Sequence, residues 1–232
     1  MEQIKLTPHQ EEKFELIMKQ IKANISFSKD THDLENRILS LTGPAGTGKS
    51  FLTAKIIYEV YKLKEENSVY DNRDIYVTAP THKAKKVTDD MLKNYNLNIK
   101  SQTIHSYLNM IKIYNFKKGI EKFIFEPSKI PNTSLLIVDE SSMVSKDIYN
   151  FIIEAMEKNY INTVLFIGDF YQLLPINQGF NDVFKLKKQY TLTEIVRQKE
   201  NSEIIKLSTK VRDNITNKKY SDLRDIFNQY KV

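Results

Sequence analysis

Cysteine is absent from the 232-residue chain. That excludes disulfide staples and thiolate metal sites, and it fits a reducing compartment. No run of apolar residues approaches the roughly 20 needed to span a bilayer. The opening MEQIKLTPHQ has no apolar signal-peptide core. A cytoplasmic protein with no membrane partner is the expectation. Internal repeats and low-complexity tracts are also lacking. None of the four histidines has a partner at metal-ligand spacing. What is present is ordinary for a globular protein: 41% hydrophobic and 28% charged residues, in a chain long enough to bury a core as one large domain or two small ones. The net charge of +6 suits a nucleic-acid partner, and equally a solvated lysine-rich surface.

Short, nearly continuous apolar runs recur at Ile38–Leu41, Ile75–Thr78, Leu135–Val138, Val164–Ile167 and Tyr190–Leu192. Strands buried on both faces, as in a parallel sheet, read this way. Helical periodicity lies between several of them: Leu52, Ile56, Val60 and Leu63 share one face, and Ile148, Phe151, Ile152 and Ala155 another. A further helix is predicted over 7–23, capped by Thr7 with Pro8 in its first turn and Phe14, Ile17, Met18 and Ile21 on its apolar side. Residues 24–36 read as a loop, and the tail from about 201 as helix. The alternation argues for an α/β layered fold with a mainly parallel sheet flanked by helices. An aromatic and basic insertion at 107–131 interrupts it and reads as a β-hairpin with a turn at Lys118-Gly119.

The strongest chemical signal is Gly43-Pro44-Ala45-Gly46-Thr47-Gly48-Lys49-Ser50, a full match to the P-loop pattern G-x-x-x-x-G-K-[ST]. Its flanks are a strand-like run and an amphipathic helix, as the mechanism requires. Glycines let the backbone curl so that N–H groups aim at phosphate oxygens, and the helix N-terminus adds partial positive charge. Lys49 neutralises the β- and γ-phosphates of ATP, and the Ser50 hydroxyl ligates Mg²⁺. Asp139-Glu140 follows the buried run Leu135–Val138, which delivers both carboxylates to the strand ends where ligands bind. Asp139 suits Mg²⁺, directly or through water, and Glu140 suits polarisation of an attacking water.

Seven blocks in order narrow the class: LTPHQ at 6–10, GPAGTGKS at 43–50, APTHKA at 79–84, TIHS at 103–106, LLIVDESSM at 135–143, GDFYQLLP at 168–175 and LTEIVRQ at 192–198. Together they resemble the superfamily 1B DNA helicases, especially the Dda-like and RecD-like enzymes, from about Leu6 to Arg212. The resemblance implies a RecA-like P-loop fold over 1–232, the first motor domain of a 5′-to-3′ helicase. Its hairpin insertion at 107–131 corresponds to a strand-separating pin. It implies that Gln10 hydrogen-bonds adenine through its amide; the same residue can complete a capping box with Thr7, and a capping residue can also present its amide. Gln172 and Arg197 correspond to residues that reach the γ-phosphate, where the planar charge of arginine suits phosphoryl transfer. Asp169 reads as a turn residue. Pro80, Thr81, His82 and Lys83, with Thr103, Ile104 and His105, correspond to loops that hold single-stranded DNA through phosphate contacts and flat faces. Phe125 corresponds to the pin aromatic, with packing of the hairpin by Phe123 and Phe125 as the alternative.

The later motifs of a second RecA-like domain have no match. The expectation is therefore a monomeric motor module that works on single-stranded DNA and on single-/double-strand junctions, and that is incomplete for unwinding without that second domain. The alternatives are a nucleotide- or DNA-binding module with little turnover, and a P-loop ATPase acting on protein, against which the APTHKA and TIHS blocks speak.

Overall fold

The computed structural model describes residues 5–26, 33–115, 120–169 and 186–196, with Lys210 and Asn214 as single positions. The predicted turn at Lys118-Gly119 and the helical tail lie outside them.

Helix α1 (Pro8–Ile25) opens on a capping box: the Thr7 hydroxyl accepts from the Gln10 N–H, and the Gln10 side chain accepts from the Thr7 N–H. The predicted loop at 24–36 contains a one-turn helix, α2 (Leu34–Arg37), capped by Asp33. Then come β1 (Ile38–Thr42), α3 (Lys49–Glu66), β2 (Asp74–Ala79), α4 (His82–Asn94), β3 (Lys100–Thr103) and the single turn α5 (Ile104–Tyr107). The hairpin β4 (Ile111–Asn115) and β5 (Ile120–Ile124) follows, and then β6 (Thr133–Val138), α6 (Lys146–Glu157), β7 (Ile161–Gly168) and β8 (Lys188–Thr191).

Six strands form one parallel sheet in the order β3-β2-β6-β7-β1-β8. The alternation of a strand's side chains divides the core in two. Leu135 and Ile137 of β6 face the cluster built with Ile17 and Ile21 of α1, and with Leu52, Ile56 and Val60 of α3. Leu136 and Val138 face the opposite cluster, built with Ile148 and Ile152 of α6 and with Tyr107. Both faces are covered, so β6 is buried at every position and reads as an uninterrupted apolar run. Each fully buried Leu or Ile contributes roughly 1.5–3 kcal/mol. The edge strand β3, KSQT, is half-exposed, and its polar sequence gives no strand signal. Helix α4 is equally quiet, with only Met91 and Leu92 as buried apolar residues.

At the N-terminal edge of the sheet a polar clasp ties the strands. Arg73 grips the buried Asp71 carboxylate with two nitrogens at 2.6–3.0 Å and reaches the Asn159 carbonyl, while Asn162 donates to Asp71. Arg37 donates to the Ile161 and Asn162 carbonyls. The candidate site residues lie at the opposite, C-terminal edge.

Candidate nucleotide and nucleic-acid sites

The P-loop leaves β1 at Thr42 and enters α3 at Lys49. Gly48 caps α3 with φ 84°, a left-handed conformation costly for any residue with a Cβ. A Cβ there would also lie 2.4 Å from the Gln10 Nε2. The buried Gln10 amide donates to the Thr47 carbonyl at 2.9 Å, so the residue that caps α1 also clamps the loop. Gly43 faces a different neighbour: a Cβ on it would meet the Leu192 carbonyl oxygen at 2.5 Å. The chain after β8 runs alongside the loop, with the Leu192 N–H on the Thr42 carbonyl at 2.8 Å and the Val196 N–H on the Gly46 carbonyl at 2.9 Å. His9 joins the same seam, its Nε2 accepting from the Thr193 N–H at 3.3 Å.

Lys49 curls its ammonium into the loop, donating to the Gly43 and Pro44 carbonyls at 2.6 and 2.9 Å. Thr47 is buried and donates to the Pro44 carbonyl at 2.9 Å, while Ser50 stands exposed in the first turn of α3. Pro44 and Gly46 are half-exposed and Ala45 is exposed.

Strand β6 ends beside β2, where the Asp139 N–H meets the Thr78 carbonyl at 2.8 Å. One Asp139 oxygen accepts from the Glu140 N–H at 2.9 Å and the other from the Thr88 hydroxyl at 3.2 Å. Burial pushes the Asp139 carboxyl above its usual range, against those two bonds and the Lys49 charge. Glu140 is raised too, first by burial and then by the charges of Asp139 and Asp169, with Lys49 opposing. Lys49 thus lies within electrostatic reach of both carboxyls. Glu140 adopts φ 50°, ψ 43°, a left-handed backbone worth about 1–3 kcal/mol of strain, of the kind concentrated at functional sites. Asp169, expected as a turn residue, is buried at the end of β7.

These residues fit Mg²⁺-ATP. Gly43 and Gly48 let the loop backbone curl tightly against Leu192 and Gln10, a lysine lines the loop, and buried carboxyls held above their usual range would be relieved by a cation. Among the described residues no group of three or more acidic or histidine side chains could hold a metal. Gln172 and Arg197 lie outside the described residues.

The second candidate surface adjoins the first. Parallel pairing sets Ala79 opposite Thr103, so the loops leaving β2 and β3 emerge side by side. Thr81 caps α4 and Thr103 caps α5, accepting from the Ala84 and Ser106 N–H groups. Thr81, His82 and Lys83 are exposed, and Pro80 and Thr103 partly so. Between α4 and the β3–α5 junction lies a groove of about 310 Å³, lined by His82, Lys86, Gln102, Thr103 and Ser106 among others. Ile104 is fully buried and belongs to the core rather than to this surface. His105 is half-buried, which lowers its pKa, and its ring lies 5.8 Å from Phe123 of the hairpin. Phe125 falls just beyond β5 and stacks on Phe151 of α6 at 4.6 Å. Its ring therefore packs the hairpin base against the domain, while Phe123 is 39% exposed.

The family described as an AAA domain matches residues 26–226. The chain belongs to that family. It is 30% identical over 218 residues to the ATP-dependent DNA helicase dda of Enterobacteria phage T4, covering 90% of this chain and 43% of that protein. It is 28% identical over 199 residues to the RecBCD enzyme subunit RecD of Buchnera aphidicola subsp. Schizaphis graminum, covering 75% and 32%. Among solved structures it superposes on the Pif1 helicase of Candida albicans with a TM-score of 0.58 at 24% identity, covering 90% of this chain and 44% of that one. It is thus a Dda/RecD-like superfamily 1B helicase domain with a RecA-like fold. The chain spans less than half the length of these relatives. Among the described residues no helix is long and apolar enough to cross a membrane.

Sequence reasoning passed over Thr88 and the backbone of Val196. Thr88 had one usable signal: it precedes Met91 and Leu92 at i+3 and i+4, on the only apolar face of a charged helix.

Proposed function

We propose that this domain binds Mg²⁺-ATP and serves as a motor unit of a 5′-to-3′ helicase translocating on single-stranded DNA. The observation that carries the reading is the convergence of the P-loop lysine with the Asp139-Glu140 pair at one rim of the sheet, beside an exposed loop pair with basic and threonine side chains. In this reading Ser50 and Asp139 hold Mg²⁺, which supplies charge neutralisation at the phosphates. Lys49 leaves the loop carbonyls for the phosphates, and Glu140 orients the attacking water and accepts its proton. The raised pKa of Glu140 suits a base. Gln10 retains one amide N–H and one lone pair for adenine after capping α1 and bonding Thr47. Gln172 and Arg197 serve the γ-phosphate. The loops at 80–83 and 103–105 hold the DNA strand, and the hairpin meets the duplex junction.

The test is equilibrium binding of a fluorescent ATP analogue. Lys49→Ala is expected to weaken it about 30- to 150-fold, the scale of one lost charge-assisted phosphate contact of about 2–3 kcal/mol. Unchanged affinity would refute the phosphate-site assignment.

A further inference from the structure

Helix α4 faces two ways. Its first turn exposes His82, which lines the groove, and Lys83, while further along the helix Thr88 is 1% exposed and turned toward the end of β6. The Thr88 hydroxyl lies 3.2 Å from the Asp139 Oδ2 and 3.2 Å from the Ala84 carbonyl oxygen, four residues back in its own helix. A hydroxyl has one proton to donate. The Ala84 carbonyl already receives the regular helical N–H bond. The carboxylate has no such substitute on that oxygen, since its other oxygen is taken by the Glu140 N–H at 2.9 Å.

We infer that Thr88 is a positioning residue: its hydroxyl fixes the plane of the Asp139 carboxylate toward the metal and ties that carboxylate to the DNA-facing helix. The inference rests on Asp139 holding Mg²⁺. With Glu140 N–H on one oxygen and Thr88 on the other, the carboxylate cannot rotate about its last bond without breaking a hydrogen bond in a buried setting. Partners of this kind, one step removed from the metal, orient its ligands and set its affinity. The link continues outward. Ala84, whose carbonyl is the alternative acceptor for Thr88, donates its own N–H to the Thr81 hydroxyl at 3.1 Å. Thr81 is exposed and caps α4 directly before His82, which lines the groove.

The experiment uses the intact chain and reads the Mg²⁺ concentration at half-maximal binding of a fluorescent ATP analogue, alongside affinity in EDTA. Thr88→Val keeps the shape and removes the hydroxyl; it is expected to raise the Mg²⁺ midpoint about tenfold, with a much smaller change in EDTA. Thr88→Ser restores the hydroxyl and is expected within about threefold of the parent. Adding Thr88→Val to Asp139→Asn is expected to change nothing further, because both act through one carboxylate. A folded Thr88→Val with the parental midpoint overturns the inference, as does a serine variant impaired as much as the valine one, which would assign the role to the methyl group. Should the valine variant fail to fold, Thr88→Ala compared with Thr88→Ser makes the same distinction. A parent chain without metal-dependent nucleotide binding overturns this inference and the phosphate-site reading together. Parental binding that the Thr88 variants leave intact overturns the Thr88 role alone.

Discussion

Gly48 shows how one residue joins local and distant constraints. Its left-handed backbone starts α3, and the space beside it is filled by the amide of Gln10. Gly48→Ala meets both obstacles. It is expected to lower stability by about 1–2 kcal/mol, read as a lower melting temperature, and to weaken nucleotide binding by moving Gln10 off the Thr47 carbonyl. Asp71 at the other end of the sheet gives a pH prediction. Burial alone would raise its carboxyl, but hydrogen bonds and charge from Arg73, with Asn162, outweigh that and hold it below the usual value. A lowered native pKa contributes stability that is complete above the unfolded carboxylate range, near pH 4, and is lost as pH falls through the native value. Asp71→Asn is therefore expected to cost about 1–3 kcal/mol at pH 7, reduced from a fully buried pair because Arg73 is partly exposed. The difference between variant and parent should close as denaturation is followed below pH 4. A constant difference across that range would refute the assignment to charge.

At the scale of elements, the hairpin divides its aromatics between two duties. Phe125 stacks on Phe151 and joins the cluster around Ile130 and Ile148. Phe123 stands out of that cluster beside His105. Phe125→Ala is expected to destabilise by about 2 kcal/mol, below the full cost of a buried Phe because its ring is half-exposed. Phe123→Ala should cost under about 0.5 kcal/mol, as an exposed position does. Chemical denaturation of the two variants checks the order. The hairpin itself was legible in the sequence, since a strand-rich aromatic insertion broke the alternation of the sheet. Which aromatic packs was not legible, because FIF offers two rings two residues apart and only the approach of α6 selects between them.

Across the whole molecule, the candidate site residues gather on one edge. The nucleotide residues and the exposed loops at 80–83 and 103–105 all emerge where parallel strands end, so a single sheet direction aligns them. If that edge holds single-stranded DNA, affinity for an oligodeoxythymidine should fall steeply with salt as phosphate counterions are released. His82→Ala with His105→Ala should weaken binding several-fold through lost face contacts. Fluorescence anisotropy across a salt series reads both, and a double variant with parental affinity removes these histidines from the DNA surface.

The sequence by itself determined the layers and the ATP-site vocabulary. Continuous apolar runs demanded strands buried on both faces, and the P-loop carries its mechanism in eight consecutive residues. It also placed Asp139 at a strand end, because burial of Leu135–Val138 leaves the next residue at the rim. Tertiary structure decided the rest. Gln10 bonds the loop 37 residues away, and Thr88 bonds Asp139 across 51. Both contacts depend on which strands and helices are neighbours. That order comes from packing two cores against one twisted sheet, which no spacing along the chain records. The polar edge strand β3 and the charged helix α4 stayed silent for the same reason: each is held by what it lies against, not by a pattern of its own.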